Sequence, residues 1–367
     1  MTAPRALFLT PEVPKVGSGG GGLRSVSLLA YLQNKYDVQT VAFSLPPHSR
    51  RPEARVFRNA VRLARGSPPL FDRFSGHEDQ LAASIRGRYA VGVIEHFWCA
   101  AYAPLLRSCC GRLVLDLHNI ESELARTHAQ AARWPASWAS QRFAASYQRL
   151  EREWLPRFDV ILTASEEDRR RVEYPDVRVF PNALPEILRP QVAEEDVIVF
   201  SGNLEYHPNV EAVRWFRTRI WPRIRENAPG IEWCLLGSNP GAVAGSTGGD
   251  SRIRILGPVE DAIASLAAAK VCLAPLLSGS GTRFKILEAW AAGRAVVSTR
   301  LGAEGLDARD GEHLLLADDP DEFANAVLRL LKNRALRTKL GDSGWEHYQK
   351  RFTWPAAWRK LDEAGGI

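Results

Sequence analysis

Ser278-Gly279-Ser280-Gly281-Thr282-Arg283-Phe284-Lys285-Ile286-Leu287-Glu288-Ala289 decides how this chain folds. An apolar run, Lys270-Val271-Cys272-Leu273-Ala274-Pro275, precedes it, and a second, Ala295-Val296-Val297-Ser298, follows. The order is strand, glycine-rich loop, helix, strand. A helix that starts in such a loop offers free backbone N–H groups and the positive end of its dipole, a ready anion site. Arg283 and Lys285 add two cations to the first turn, where they oppose the dipole unless an anion compensates them. Glu288 lies a turn and a half further on, beyond reach of the same phosphates, and is placed to accept hydrogen bonds from sugar hydroxyls. The pattern suits a sugar nucleotide; an ordinary strand-to-helix turn with a solvated basic rim is the plainer alternative.

The 367 residues are enough for two domains of ordinary size. No apolar run approaches the roughly 18–20 residues of a membrane span, and the opening apolar segment is too short, and too soon followed by Pro11 and Pro14, for a secretory signal. Five scattered cysteines show neither paired nor zinc-type spacing, so a reduced, cytoplasmic protein without a metal is expected. Residues 1–185 hold 25 Lys and Arg against 18 Asp and Glu; the remainder holds 23 against 24. The basic half calls for an anionic partner or surface, and no nucleic-acid-binding signature accompanies it.

Arg5-Ala6-Leu7-Phe8-Leu9-Thr10 reads as a first buried strand. A glycine loop through Gly19, Gly20, Gly21 and Gly22 follows, then a helix from Leu23 and a strand from Asp37. A dinucleotide site would place an acid after that strand. Phe43-Ser44-Leu45 stand there instead, which argues against a dehydrogenase. Arginines at 50, 51, 55, 58, 62 and 65 alternate with apolar residues, as in a helix lying on an anionic membrane or, equally, one with a solvated face. Strands end at Glu95-His96 and at Leu117-His118. Ligands bind beyond such ends, so His118 is either a site residue or a hydrogen-bonded structural one.

A proline-punctuated linker over 181–190 precedes a second alternation of strands and helices. Val197 to Ser201 is a strand that exits through Gly202-Asn203, a helix covers 209–227, and a further strand ends at Gly237. The glycine-rich 238–250 loop separates these from a strand at 252–257. Asp318-Asp319-Pro320-Asp321-Glu322 has the look of a metal cluster, but a capped helix with proline in its first turn explains it.

Together these features resemble family 4 of the retaining glycosyltransferases, of GT-B architecture. The carrying residues are Gly19–Gly22, His118, Pro181-Asn182-Ala183, Ser201-Gly202-Asn203, Tyr206-His207-Pro208-Asn209, Leu236-Gly237, Gly257-Pro258-Val259 and above all 279–298. The resemblance implies an α/β protein of two Rossmann-like domains facing a central cleft: an acceptor-side domain over 1–185, a nucleotide-sugar-binding domain over 186–352, and a C-terminal helix over 353–367 crossing back to the first. It implies transfer of a sugar from a nucleotide-sugar donor to a glycan, lipid-linked or small-molecule acceptor, with no cofactor or metal. Arg283, Lys285 and the N–H groups near Gly281 and Thr282 would hold the diphosphate, Glu288 the ribose, and backbone near Val259 the base. Gly202, Asn203 and Gly237 would line the donor pocket, Gly20 and Gly21 would approach the phosphates, and His118 would lie near the transferred sugar. The basic half would make peripheral contact with an anionic inner membrane face. The family often has a glutamate where Ser280 stands, and Arg and Lys in the region of Asn203 and His207. A nucleotide-sugar 2-epimerase and a non-catalytic sugar-nucleotide-binding protein share the architecture and stay open as alternatives.

Overall fold

The computed structural model describes residues 3–15, 19–43, 45, 52–131, 134–246, 248–259, 261–279 and 284–367. The chain divides into two compact units, Met1–Pro181 with Trp358–Ile367, and Asn182–Ala357. Each contains one six-stranded sheet with every strand pairing parallel. Parallel sheets are covered on both faces, which is why the strands read as apolar runs rather than as alternating sequences.

The first sheet comprises β1 (Arg5–Thr10), β2 (Asp37–Ala42), β3 (Tyr89–Glu95), β4 (Cys110–Asp116), β5 (Val160–Thr163) and β6 (Val177–Val179), in the order β2-β1-β3-β4-β5-β6. Leu7, Leu9, Ile94, Leu113, Leu115 and Ile161 form its core with Phe97, Leu106 and Tyr147. The opening helix runs over Gly19–Gln33. It starts four residues before the expected Leu23, so the glycines form its first turn rather than a loop. Glycine costs a helix interior about 1 kcal/mol, and a Cβ at Gly21 would only just touch the His118 ring, at 3.8 Å. A helix over Glu121–Ala131 follows β4 and packs on a second, Ala136–Trp154. Ser165 caps the helix Glu166–Arg171 by accepting from the Asp168 N–H at 3.0 Å. The C-terminal residues complete this unit: the Trp358 indole donates to the Ser27 carbonyl at 3.2 Å, and Tyr31 donates to Asp362 at 2.6 Å.

The second sheet comprises β7 (Val197–Ser201), β8 (Glu232–Leu236), β9 (Ile253–Leu256), β10 (Val271–Ala274), β11 (Val296–Ser298) and β12 (Leu315–Leu316), ordered β12-β11-β10-β7-β8-β9. Renumbered from its own first strand this is 3-2-1-4-5-6, the Rossmann order. Ile198, Phe200, Leu235, Leu273 and Val297 meet Phe216, Trp221 and Trp233 in its core. The expected helix over 209–227 is a continuous path of His207–Trp215, a π turn at Phe216–Ile220 and Trp221–Asn227. Asp319 caps the helix Pro320–Lys332 through the N–H groups of Asp321 and Glu322, at 2.8 and 3.2 Å. The acidic run there is helix chemistry. Among the described residues no helix is long and apolar enough to cross a membrane.

Candidate active site

In an open α/β sheet, ligands bind beyond the C-terminal strand ends where the strand order reverses. In the second unit that point lies between β7 and β10. Gly202 leaves β7 with φ +141°, a conformation few side chains tolerate, and a Cβ there would stand 2.9 Å from the Asn209 amide and 3.4 Å from Lys285 Nζ. Gly237 leaves β8 so close that a Cβ would lie 1.8 Å from the Gly202 carbonyl oxygen. These two glycines let three backbone segments converge. Lys285 begins the helix Phe284–Ala291, and its ammonium donates to Asn209 Oδ1 at 2.7 Å while standing 4.6 Å from the centre of the Phe200 ring. Asn209 donates in turn to the Asn203 carbonyl at 2.7 Å. Asn203 Oδ1 is taken by the Glu205 N–H and the Asn239 amide, both at 3.0 Å, so its oxygen serves the turn.

Glu288 lies one turn beyond Lys285 on the same helix. Desolvation pushes its carboxyl pKa up to about 7, against the opposing pull of Lys285 and a hydrogen bond with Ser201. It therefore changes charge near neutrality. Val259 is partly exposed in the segment after β9. Gly281, Thr282 and Arg283, together with Ser280, lie outside the described residues. Gly202, Lys285 and Glu288 are thus brought together at this switch point, with Gly237 packed against Gly202 from behind.

In the first unit the order reverses between β1 and β3. The opening helix places Gly20 and Gly21 in its first turn, where N–H groups have no partner within the helix. A Cβ on Gly21 would sit 3.8 Å from His118 Nδ1. His118 follows β4 and is 7% exposed. Its Nε2 faces two carboxylates, Asp116 Oδ2 at 3.2 Å and Glu95 Oε1 at 3.3 Å. Asp116 is fully buried and held by Arg24, whose Nε lies 2.9 Å from Oδ2 and whose Nη2 lies 2.5 Å from Oδ1. Arg24 also donates to the Phe180 carbonyl at 2.5 Å. His96 has φ +62°, uncommon for a residue other than glycine. That backbone presses its ring between Trp98, 4.2 Å away, and His118, 3.6 Å away.

The charges here follow from burial and pairing. Burial opposes ionisation of Asp116, but Arg24 and His118 outweigh it and hold the carboxyl well below its usual range. Burial favours neutral His118, yet the bonds to Asp116 and Glu95 win and raise its pKa. Burial, aided by the His118 charge, keeps His96 neutral. Desolvation lifts Glu121, which accepts from the Trp98 indole at 2.9 Å, to about 8. Glu95, Asp116 and His118 each place one ligand-type atom within 4.8 Å of the others. With Arg24 bidentate on Asp116 and His118 turned to both acids, side chains already supply the group's positive charge, and we read it as an ion-pair network.

Of the residues expected from sequence, the structure brings Gly202, Lys285 and Glu288 together in the second unit and Gly21 and His118 together in the first. Sequence reasoning missed Arg24, Asp116 and Asn209 as site members, and passed over Glu95 and His96. Glu95 and Asp116 each end a strand, a position that marks a candidate; Arg24 lies 92 residues from its partner and gives no local signal.

Comparison with known proteins agrees with this geometry. Residues 195–333 match the family of glycosyl transferases, group 1. A phosphatidyl-myo-inositol mannosyltransferase of Mycobacterium leprae is 39% identical over 106 residues, 28% of each chain. The chain spans well under half the length of the curated relatives it matches. Solved structures agree over the whole length: sucrose-phosphate synthase from Thermosynechococcus elongatus covers 98% of both chains with a TM-score of 0.72 at 18% identity. The Anabaena protein HepE in complex with UDP-glucose covers 98% of both with a TM-score of 0.66 at 15% identity. Sequence match and whole-chain fold converge: residues 195–333 match the group 1 glycosyl transferases, and the chain as a whole has the GT-B fold of these solved structures.

Proposed function

We propose that this chain is a hexosyltransferase that moves a sugar from a nucleotide-diphosphate donor to the hydroxyl of a glycan, lipid-linked or small-molecule acceptor. The observation that carries the proposal is the convergence of Lys285, Gly202 and Glu288 at the Rossmann switch point of the second unit. A cation at a helix start, a backbone without side chains and an acid one turn away are what a diphosphate joined to a ribose requires. Lys285, with Arg283 and the N–H groups of Gly281 and Thr282, holds the diphosphate and stabilises the charge that grows on it as the sugar leaves. Glu288 accepts from the ribose hydroxyls, and backbone near Val259 meets the base. Protein cations neutralise the leaving group, so no metal or cofactor takes part, and the anomeric configuration is retained.

The second unit is the donor side and the first the acceptor side. Gly20 and Gly21 approach the donor phosphates, and His118 lies beside the transferred sugar. The first unit also meets an anionic membrane face: exposed Val56, Phe57, Trp134 and Trp138 offer apolar anchors beside exposed Arg142, Arg149 and Arg152. Sedimentation with phosphatidylglycerol vesicles tests this arm, and equal binding to purely zwitterionic vesicles argues against the charge component. A thermal-shift screen against UDP-, GDP-, ADP- and dTDP-sugars tests the activity proper. A donor at 100 times its Kd stabilises by about 2.7 kcal/mol, and no shift with any of them overturns the proposal.

A further inference from the structure

We infer that His118 works as an imidazolium at neutral pH, and that Glu95, with the Asp116–Arg24 pair, is a positioning residue that keeps the proton on it. This rests on the proposed role of His118 beside the donor, but the charge state follows from the first unit alone.

The argument begins with charge balance in a buried volume. Arg24, Asp116 and Glu95 are 1%, 0% and 0% exposed. With both acids ionised, Arg24 cancels one of them, and the remaining negative charge has no mobile counter-ion. A buried charge must be paired. His118 is the group that pairs it, since its Nε2 lies within hydrogen-bonding reach of both acids. The other groups facing it do not compete. His96 stacks on its ring and is kept neutral, and Glu121 retains its proton near neutrality. Cys99, which faces Glu95, is fully buried with its pKa raised well above the thiol value.

Geometry then fixes what the proton does. A bond from Nε2 to the two acids leaves Nδ1 as the ring's other nitrogen, and Nδ1 faces Gly21 in the first turn of the opening helix. A neutral ring with its proton on Nε2 presents a bare lone pair at Nδ1 and repels an oxygen ligand. The imidazolium presents an N–H there beside the helix N–H groups, so every donor on that wall has the same sign. The acids thus select between a wall that accepts an electron-rich oxygen and one that refuses it. The ring has little freedom to turn away: His96 backs it on one face, and Arg24 prevents Asp116 from rotating.

The test is nitrogen-15 NMR of the histidine side chains in the free full chain, at pH 5–9. The chain has eight histidines, and His118→Gln identifies the signal. We expect both ring nitrogens of His118 protonated at pH 7, with a midpoint above the ordinary value of about 6.5. Glu95→Gln should lower that midpoint by at least one unit, a tenfold loss of protonated fraction at a fixed pH above it. Glu95→Asp should restore part of it. In turnover with whichever donor proves active, the alkaline limb of kcat should shift down by the same amount in Glu95→Gln, with the rate at pH 5.5 little changed. A neutral His118 at pH 6 in the native chain, or a midpoint unmoved by Glu95→Gln, overturns the inference. Because the spectra need neither donor nor acceptor, an inactive chain with a protonated His118 would defeat the proposed activity and leave this inference standing.

Discussion

The two units build their switch-point sites from the same topological position and opposite materials. In the first, the ring of His118 is embedded in buried charge, with Arg24, Asp116 and Glu95 each at most 1% exposed. In the second, Lys285 is partly exposed, donates to the Asn209 oxygen and stands over the face of Phe200. A buried network is expensive to break and holds one geometry. A partly exposed cation bonded to an amide is easily recruited, because a phosphate offers a better partner than the amide it leaves. The first arrangement resists rearrangement; the second, on the proposed function, exchanges its amide for a donor phosphate.

The largest test of this contrast is Arg24→Ala. It strips buried Asp116 of its bidentate partner and leaves one imidazole to serve two acids, and breaking a buried pair from one side costs about 3–5 kcal/mol. Urea unfolding of the first-unit signal should reveal a loss of that size. Because Asp116 titrates well below its unfolded value, its stabilisation is present above the ordinary carboxylate range and lost only in strong acid. A loss below 1 kcal/mol would show that the network is not rigid in the sense argued. Lys285→Ala should behave in the opposite way. Stability should fall by only about 1 kcal/mol, the scale of one hydrogen bond. Transfer should slow by about 10²–10³, the effect of removing one donor to the developing charge. Equal damage to stability and turnover would dissolve the distinction.

How far the sequence foretold this depends on how local each signal is. All the strands that end at the two sites were legible, because a buried parallel strand is a short apolar run with turn residues behind it. The capped helix at Asp319 was legible because an acidic cap followed by proline marks a helix start. The opening helix was misplaced because four glycines signal a loop in any local rule, whereas here they form the first turn of the helix Gly19–Gln33. The Arg24–Asp116 pair was invisible, since neither residue has a pattern of its own and only the strand order β1-β3-β4 brings them together. The charge states were unreadable on principle, because burial sets them and sequence does not report burial of one side chain.

Gly202→Ala probes the middle of the scale. The new methyl group meets a φ of +141° and the Asn209 amide at 2.9 Å, and strain of this kind costs about 1–3 kcal/mol. Relief requires Asn209 to move, and Lys285 moves with it. Donor affinity should therefore fall while the first unit's unfolding midpoint stays where it was. A shift of both transitions together would mean that the methyl acts on the fold as a whole rather than on the donor wall.

The finest test concerns Glu288. Its pKa is raised to about 7 by desolvation, above the ordinary carboxyl value of about 4.3. Ionising it therefore costs stability, a penalty that enters as pH rises above the unfolded value and is complete once pH exceeds about 7. A ribose whose hydroxyls donate to the carboxylate favours the ionised form. Donor binding at pH 7 should then release a fraction of a proton, and affinity should rise between pH 6 and 8 by at most tenfold per unit, about 1.4 kcal/mol. Calorimetry in buffers of different ionisation enthalpy measures the release directly. Glu288→Gln should abolish it, and Lys285→Ala should move it to higher pH, because Lys285 is the charge that pulls the carboxyl down. Donor affinity equal at pH 6 and 8, with no proton released, would separate Glu288 from the ribose and leave Lys285 as the donor site's one titratable anchor among the described residues.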